Sequence, residues 1–300
     1  MKLSEILKSI EVPHVILNDS EFFTLGMLTS KGLSSKTLSF INNEKYIDVF
    51  YESNNITAII TSNEIYRKLK LPEKTGVIIT KNPKELFYEI HNQLCDSDFY
   101  WKKYKNVIDE TAHISENAII AKHSVKIGKN SIIENGVVIN SGTTIGDNVI
   151  VRSNSIISSV GFQFLNMGDR VLSVRSGGKV LICDNAEVQQ NCCIDKGVFG
   201  GDTVIKKDVK IDNFVHIAHD CVIGERTFIT AGVKFGGRTV VGNDCWLGVN
   251  ATISNGLIIG NNVKVSLGSV VTKNIESDTT VTGNFAIEHS KFLNFLKSIR

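Results

Sequence analysis

Two histidines, His216 and His219, lie three residues apart in the segment FVHIAHD and are the side chains best suited to acid–base chemistry. Asp212, seven residues before His219, could accept a hydrogen bond from one nitrogen of that imidazole, which leaves the other nitrogen available as a general base near neutral pH. Gly237 follows His219 by 18 residues, and its N–H could face a developing oxyanion. These residues predict a general-base site in which Asp212 and His219 form a dyad.

Apolar residues recur every six positions from residue 108 onward, and the fold that this repeat forms must position these side chains. Six is neither the helical period of 3.6 nor the strand period of two, so the pattern predicts a solenoid that turns regularly and keeps one residue per hexapeptide inside. Three hexapeptides close one coil of about 18 residues, and successive coils stack roughly 4.8 Å apart. The inward markers are Ile205, Ile211, Ile217, Ile223, Ile229, Phe235, Val241, Leu247, Ile253, Ile259, Val265 and Val271; Ile127, Ile133, Ile139, Ile145, Val151 and Ile157; Ile182, Val188 and Ile194; and, one residue out of register, Ile108, Ile114 and Ile120.

Small or medium residues prevail four positions after each marker and predict a second, more cramped inward site, while Gly, Asn and Asp just after the markers suit the bends. Only three prolines occur in the chain, in agreement with continuous hydrogen-bonded ladders. The predicted fold class is therefore mainly β, a left-handed parallel β-helix of hexapeptide repeats.

Three domains are expected. Residues 1–100 lack the period and contain strand-like and helical runs, which predicts a small α/β domain; residues 101–284 form the β-helix, and residues 285–300 form a short amphipathic helix. An excursion at residues 161–178 breaks the period, and a loop of this length usually serves a site or a subunit contact.

Composition argues against a nucleic-acid-binding protein and against a membrane protein. Lys and Arg total 33 against 31 Asp and Glu, so the net charge of +2 does not indicate a nucleic-acid binder. Neither a long apolar stretch nor a signal peptide is evident, so we expect a cytoplasmic protein without a membrane span. The six cysteines lack paired metal-site spacing and are expected to be reduced thiols.

A zinc hydratase is the alternative use of the two histidines, because some hexapeptide β-helices carry zinc on three converging histidines. With coils of about 18 residues, the neighbours of His216 and His219 would be Val198, Gly201, Lys234 and Gly237. None of these four is a first-rank zinc ligand. We therefore expect no metal site.

Three segments resemble the UDP-3-O-acylglucosamine N-acyltransferase family, and the likeness extends over nearly the whole chain. Residues 40–46 (FINNEKY) match the F-x-x-N-x-x-Y segment, residues 161–164 (GFQF) match a G-F-x-F run, and residues 211–219 (IDNFVHIAH) are similar to the catalytic segment I-D-N-x-x-x-I-A-H.

This resemblance implies a role for each matching residue. Phe40 and Tyr46 would sandwich the uracil of a UDP-linked amino sugar, with help from Asn43. His219 would deprotonate the sugar amine and Asp212 would orient the imidazole, while the Gly237 N–H would hold the oxyanion. Family members are homotrimers in lipid A assembly and transfer the acyl group directly from a phosphopantetheine thioester, so no permanently bound cofactor and no covalent enzyme intermediate are expected.

Two departures from the family pattern concern the substrates. The family commonly has a second functional histidine near what is here residues 254–257 (SNGL), and it tends to end in a longer helical extension that helps receive acyl carrier protein. The donor is therefore either a long 3-hydroxyacyl group on acyl carrier protein or a short acyl group on coenzyme A, the second for a surface-polysaccharide sugar. A non-catalytic scaffold remains the third hypothesis.

Overall fold

The computed structural model describes residues 1–28, 36–283 and 286–298. Two compact units are present. The N-terminal unit comprises Met1–Tyr104, Val160–Gly178 and Gly197–Gly201, and the β-helix unit comprises Lys105–Ser159, Lys179–Lys196 and Asp202–Arg300. Residues 160–178 and 197–201 were expected in the β-helix domain because they lie between its repeats. In the structure their contacts group them with the N-terminal unit.

A five-stranded sheet with the order β1-β5-β4-β3-β2 forms the centre of the N-terminal unit. Strand β1 is antiparallel to β5, and the remaining pairs are parallel. Short helices flank the sheet, as the α/β expectation requires. The bounds are α1 Leu3–Ile6, β1 Val15–Asn18, β2 Thr24–Leu25, β3 Thr37–Ile41, α2 Ile47–Tyr51, β4 Ile56–Thr61, α3 Asn63–Tyr66, β5 Gly76–Ile79 and α4 Pro83–Cys95, with 3₁₀ turns at Leu7–Ser9 and Glu44–Tyr46.

The other strands are short, and all except the antiparallel hairpin β15–β16 of the N-terminal unit belong to the β-helix. They are β6 Val107–Ile108, β7 His113–Ile114, β8 Ile119–Ile120, β9 Val125–Ile127, β10 Ile132–Ile133, β11 Val138–Ile139, β12 Thr143–Ile145, β13 Ile150–Val151, β14 Ile156–Ser159, β15 Phe164–Asn166, β16 Val171–Ser173, β17 Lys179–Ile182, β18 Glu187–Val188, β19 Cys193–Asp195, β20 Asp202–Ile205, β21 Lys210–Ile211, β22 His216–Ile217, β23 Val222–Ile223, β24 Phe228–Ile229, β25 Lys234–Phe235, β26 Val240–Val241, β27 Trp246–Leu247, β28 Thr252–Ile253, β29 Ile258–Ile259, β30 Lys264–Val265, β31 Val270–Val271 and β32 Thr280–Val281.

Three parallel sheets form the walls of the solenoid, and each coil contributes one strand to each sheet. In the regular tract the inward markers pair with the residue 18 positions further, as Ile205 does with Ile223 and Ile223 with Val241. Every marker from Ile127 to Val271 is buried. The left-handed parallel β-helix predicted from the period of six is thus confirmed.

Two insertions lengthen the coil, and the inward markers stay paired across both of them, although the β14–β19 ladder is irregular between Ile157 and Ser159. Ile157 pairs with Ile194, 37 residues further, because residues 160–178 leave the coil between β14 and β17. Ile194 pairs with Ile217, 23 residues further, because residues 197–201 leave between β19 and β20. The assumption that Val198 lies one coil from His216 was therefore wrong, and that position belongs to Cys193.

The second inward position is also occupied as predicted. Val215, Cys221, Thr227, Val233 and Thr239 are all buried. At the bends the third residue after a marker repeatedly has a positive φ, for example Asn148 at 55° and Asp244 at 60°. Asn and Asp tolerate this left-handed conformation better than most side chains, which explains their recurrence there.

The described part of the C-terminal segment contains one helix, α5 His289–Ser298, and its residues are mostly exposed. The expected start at Phe285 and end at Arg300 lie outside the described residues. None of the six cysteines, all of which lie in the described ranges, forms a disulfide. None of the helices in the described ranges combines the length and apolar character needed to cross a membrane.

Candidate active site

His219 lies at a bend directly after β22, and the backbone there is fixed by the coils on both sides. The N–H of Asp220 donates to the Thr203 hydroxyl at 2.8 Å. The N–H of Arg238, in the following coil, donates to the His219 carbonyl at the same distance. Because these bonds come from neighbouring coils, the position of His219 depends on the register of the solenoid.

The carboxylate partner of His219 is Asp220, the next residue in the chain. His219 Nδ1 and Asp220 Oδ2 are 2.8 Å apart, and the His219 side chain is 16% exposed. If the proton lies on Nδ1, this bond holds the imidazole in the tautomer whose Nε2 can accept a proton. The pair therefore has the arrangement that a general base requires.

The expected bond between Asp212 and His219 is not formed, and this expectation is corrected. Asp212 Oδ1 instead accepts from the backbone N–H of Asn213 at 2.7 Å and from its side-chain amide at 3.0 Å. These local bonds turn the carboxylate onto its own bend. Within the described residues no hydrogen bond joins it to His219, so Asp212 stabilises a turn in this chain.

Gly237 lies against the imidazole of His219, one coil further along. A Cβ atom at Gly237 would lie only 2.5 Å from His219 Nε2 and Cε1. The Gly237 carbonyl accepts from Gly256 N–H at 2.9 Å, while its own N–H has no hydrogen-bond partner among the described residues. The structure thus brings Gly237 and His219 together, and the role of this N–H at an oxyanion stays a prediction.

A third carboxylate contributes to the electrostatics of this bend. Burial raises the pKa of Asp202, the nearby carboxylate of Asp220 raises it further, and the ammonium group of Lys179 acts in the opposite direction. Asp202 Oδ1 is buried without a hydrogen bond in the described structure.

The buried thiols next to these residues are poor nucleophiles. Burial raises the pKa of Cys221 to about 12 and that of Cys192 to about 11, so both stay protonated at neutral pH. Cys221 Sγ donates to the Gly236 carbonyl at 3.3 Å. Neither of these two thiols is therefore suited to form a covalent intermediate.

The three residues expected to bind uracil do not form a sandwich in the N-terminal unit. Phe40 is only 7% exposed and packs on Phe87, with ring centroids 4.9 Å apart. Tyr46 is half-buried against the apolar cluster that contains Ile41. The side chain of Ile41 lies on the opposite face of β3 from the side chain of Phe40. Asn43 is exposed, and its side chain accepts from the Lys45 N–H at 3.1 Å.

Lys45 also lies over the Tyr46 ring, with Nζ 5.0 Å from the centroid. Tyr46 and Asn43 are therefore at the surface, whereas Phe40 is a core residue in this structure.

The carboxylate partners of the two histidines were not predicted from the sequence. Asp220 is adjacent to His219, but the side-chain direction at a bend with a φ of 58° could not be read from the sequence. Asp195 accepts from or donates to His216 Nε2 at 3.0 Å, and the five-residue insertion hid this neighbour.

Two known protein families match the hexapeptide repeat of this chain. The family model for the bacterial transferase hexapeptide (six repeats) matches residues 124–159 and 202–237, and the hexapeptide repeat of succinyl-transferase matches residues 238–273. The solved UDP-N-acetylglucosamine acyltransferase of Francisella novicida has a TM-score of 0.50 and 22% identity, with coverage of 64% of this chain and 71% of that one. This likeness supports the fold.

Two curated relatives are similar over most of the chain. The UDP-3-O-acylglucosamine N-acyltransferase of Helicobacter pylori is 34% identical over 262 residues, which is 79% of this chain and 75% of the relative. The protein of the same name from Helicobacter hepaticus is 29% identical, with coverage of 97% and 93%.

The repeat, the β-helix and these relatives define the class as a hexapeptide-repeat acyltransferase. Within that class, the chain belongs to the UDP-3-O-acylglucosamine N-acyltransferase family, as the resemblance of its three sequence segments indicated.

Replacement Gly237→Ala tests the contact between Gly237 and His219. The new methyl group must displace the imidazole, and misplacement of a catalytic group by about 1 Å costs on the order of 100-fold in rate. We expect acyl transfer to fall by about that factor while the thermal midpoint stays close to that of the unaltered protein. Gly283→Ala is the control, because a Cβ there meets no atom within 4 Å. Equal rates in the two variants would show that this contact is unimportant.

Proposed function

We propose that this protein transfers an acyl group, a 3-hydroxyacyl chain, from a phosphopantetheine thioester to the amine of a UDP-linked amino sugar, as in lipid A biosynthesis. The observation that carries the proposal is the pair His219–Asp220 beside Gly237, in a chain of this family. The family relatives are named for N-acylation of UDP-3-O-acylglucosamine, which supports this substrate class. The donors are cytoplasmic thioesters, so we place the reaction in the cytoplasm.

The proposed reaction proceeds in two balanced steps. His219 Nε2 accepts a proton from the sugar amine as the nitrogen attacks the thioester carbonyl, and Asp220 stabilises the resulting imidazolium. The Gly237 N–H donates to the oxyanion of the tetrahedral intermediate. The intermediate then expels the phosphopantetheine thiolate, which takes the proton from the imidazolium and restores the neutral base.

The surrounding coils support this mechanism because they fix the groups before the substrate arrives. Thr203 and Arg238 hold the bend at His219 from the two sides, so little reorganisation accompanies the transfer of the proton. We further propose a homotrimer, the assembly implied by the family resemblance, and recognition of the nucleotide by Tyr46 and Asn43. Phe40, as a core residue, would contribute to nucleotide binding only after a local rearrangement.

Substitution of His219 and of the two candidate aspartates tests which carboxylate serves the general base. Loss of a general base usually costs about 10²–10⁴-fold, so His219→Ala should reduce the turnover number within that range. Asp220→Asn should cost on the order of tenfold to a hundredfold, because the group acts through the imidazole. Asp212→Asn should remain close to the unaltered enzyme, since its carboxylate bonds only to Asn213 within the described residues. Turnover under saturating substrates measures all three.

An unaffected Asp220→Asn variant combined with an inactive Asp212→Asn variant would reverse this assignment. A His219→Ala variant that keeps more than about a tenth of the activity would refute the general-base mechanism as a whole.

Replacement of Tyr46 tests its proposed role in binding the nucleotide. Base–aromatic stacking contributes about 1–3 kcal/mol per base, so Tyr46→Ala should raise the KM for the UDP sugar about tenfold or more and leave the turnover number nearly unchanged. Tyr66→Ala is the matched control, because Tyr66 packs partly buried against the same cluster as Tyr46. If both substitutions change the KM equally, the effect reflects the packing of the domain, and Tyr46 does not contact the nucleotide.

Product analysis by mass spectrometry tests the whole proposal. The purified protein is incubated with a panel of UDP-amino sugars, each paired with long 3-hydroxyacyl carrier protein, acetyl coenzyme A or 3-hydroxybutyryl coenzyme A. We expect a long-chain amide on a glucosamine acceptor. Short-chain transfer from coenzyme A alone would identify a polysaccharide-sugar acyltransferase instead, and no product from any pair would favour a non-catalytic scaffold.

A further inference from the structure

Three potential metal ligands converge on one wall of the β-helix, outside the pair His219–Asp220. Cys193 on β19 lies directly beside His216 on β22 in the parallel ladder. Asp195 ends β19, and the ligand atoms of the three side chains all lie within 4.8 Å of one another. The β-helix therefore presents a thiol, a carboxylate and an imidazole to one small volume.

The contacts within this cluster link all three groups through Asp195. Its Oδ2 is 3.0 Å from His216 Nε2, and its Oδ1 is 3.7 Å from Cys193 Sγ. The hydroxyl of Ser159, on the preceding coil, donates to Asp195 Oδ1 at 2.5 Å and lies 2.9 Å from Cys193 Sγ. Ser159 thus orients the carboxylate from behind, as a residue beyond the direct ligands of a metal often does.

Burial and charge at the cluster suit a cation. The side chain of Asp195 is 5% exposed and that of His216 is 40% exposed, so the cluster joins a buried carboxylate to a partly exposed imidazole. A buried carboxylate is stabilised by a bound cation.

The donor types select the kind of metal. A thiolate with an imidazole favours zinc and similar thiophilic transition metals, whereas magnesium and calcium prefer oxygen ligands. Three protein ligands also leave a fourth tetrahedral position open, as in zinc sites that bind a water molecule.

We propose that Cys193, Asp195 and His216 form a binding site for a divalent transition metal of the zinc type, with Ser159 as the residue that orients the carboxylate. On binding, the Cys193 thiol releases its proton to solvent, and His216 binds through Nε2 with its proton on Nδ1. No oxidation or group transfer is involved. His219 is not a ligand, so the site is separate from the proposed general base and its existence does not depend on acyl transfer.

Cobalt binding tests this proposal on the full-length chain. After treatment with a chelator and desalting, the protein is titrated with Co²⁺ and then with Zn²⁺, and the thiolate-to-cobalt charge-transfer absorption is recorded. We expect one equivalent per chain, displaced by Zn²⁺. The absorption should disappear in Cys193→Ser, and the affinity should fall more than about tenfold in His216→Ala and Asp195→Asn.

Two matched controls are available in the same chain. Cys183→Ser removes a half-buried thiol outside the cluster, and Cys95→Ser removes the thiol that contacts His91 in the N-terminal unit. Both variants should retain the cobalt spectrum. A spectrum that survives in Cys193→Ser but disappears in either control would overturn the proposal, as would the absence of thiolate-to-cobalt absorption in the unaltered protein.

Protection from alkylation gives a second measurement that does not rely on the folding of variants. In the unaltered protein, Zn²⁺ should slow the modification of Cys193 by iodoacetamide at least tenfold, as followed by peptide mass, and should leave Cys183 unaffected. Equal rates at Cys193 with and without Zn²⁺ would reject a zinc–thiolate bond at this position.

Discussion

The stacking of one coil on the next is the constraint on which the rest of this structure depends. Parallel ladders require each inward residue to lie beside its counterpart in the following coil, as Ile194 lies beside Ile217 and Ile217 beside Phe235. Displacement by one residue would turn the apolar side chains outward and expose the core. Additional residues are therefore accommodated between strands, and after each of the two insertions the inward markers pair again with those of the neighbouring coil.

The same constraint positions the candidate active-site residues. His219, Gly237 and Asn255 occupy corresponding positions in three successive coils, and backbone bonds from Arg238 and Gly256 connect them in sequence. The imidazole and the glycine therefore approach each other because the coils are stacked, without contacts that serve this purpose alone. In such a scaffold the distance between a base and an N–H donor is as reproducible as the spacing of the strands. This rigidity favours electrostatic stabilisation by groups that need no reorganisation.

Much of this arrangement could be predicted from the sequence, because a period of six leaves few alternatives. The buried markers, the small second inward residues, the bend at His219 and its proximity to Gly237 all follow from counting. Two features could not be found in this way. The partner of His216 could not be identified without the length of the insertion at residues 197–201, which a period does not reveal. The partner of His219 could not be identified without the direction of two side chains at adjacent bends. Asp212 bonds to its own turn, while Asp220 reaches the imidazole. The burial of Phe40 is a comparable case, since a motif of aromatic residues does not reveal which ring packs into the core.

The two histidines of one short segment differ in which ring nitrogen is engaged, and this difference separates their chemistry. His219 is bonded to Asp220 through Nδ1, and its Nε2 lies against a glycine, where a substrate amine could approach. His216 uses Nε2 for Asp195, and that contact places the same nitrogen next to a thiol and a buried carboxylate. An imidazole nitrogen beside an N–H donor suits proton transfer, whereas a nitrogen held among other donor atoms suits a metal. Their positions relative to β22 explain this contrast. His216 lies within β22 and meets the residues of the neighbouring coil sideways, while His219 follows the strand and contacts the bend of the next coil.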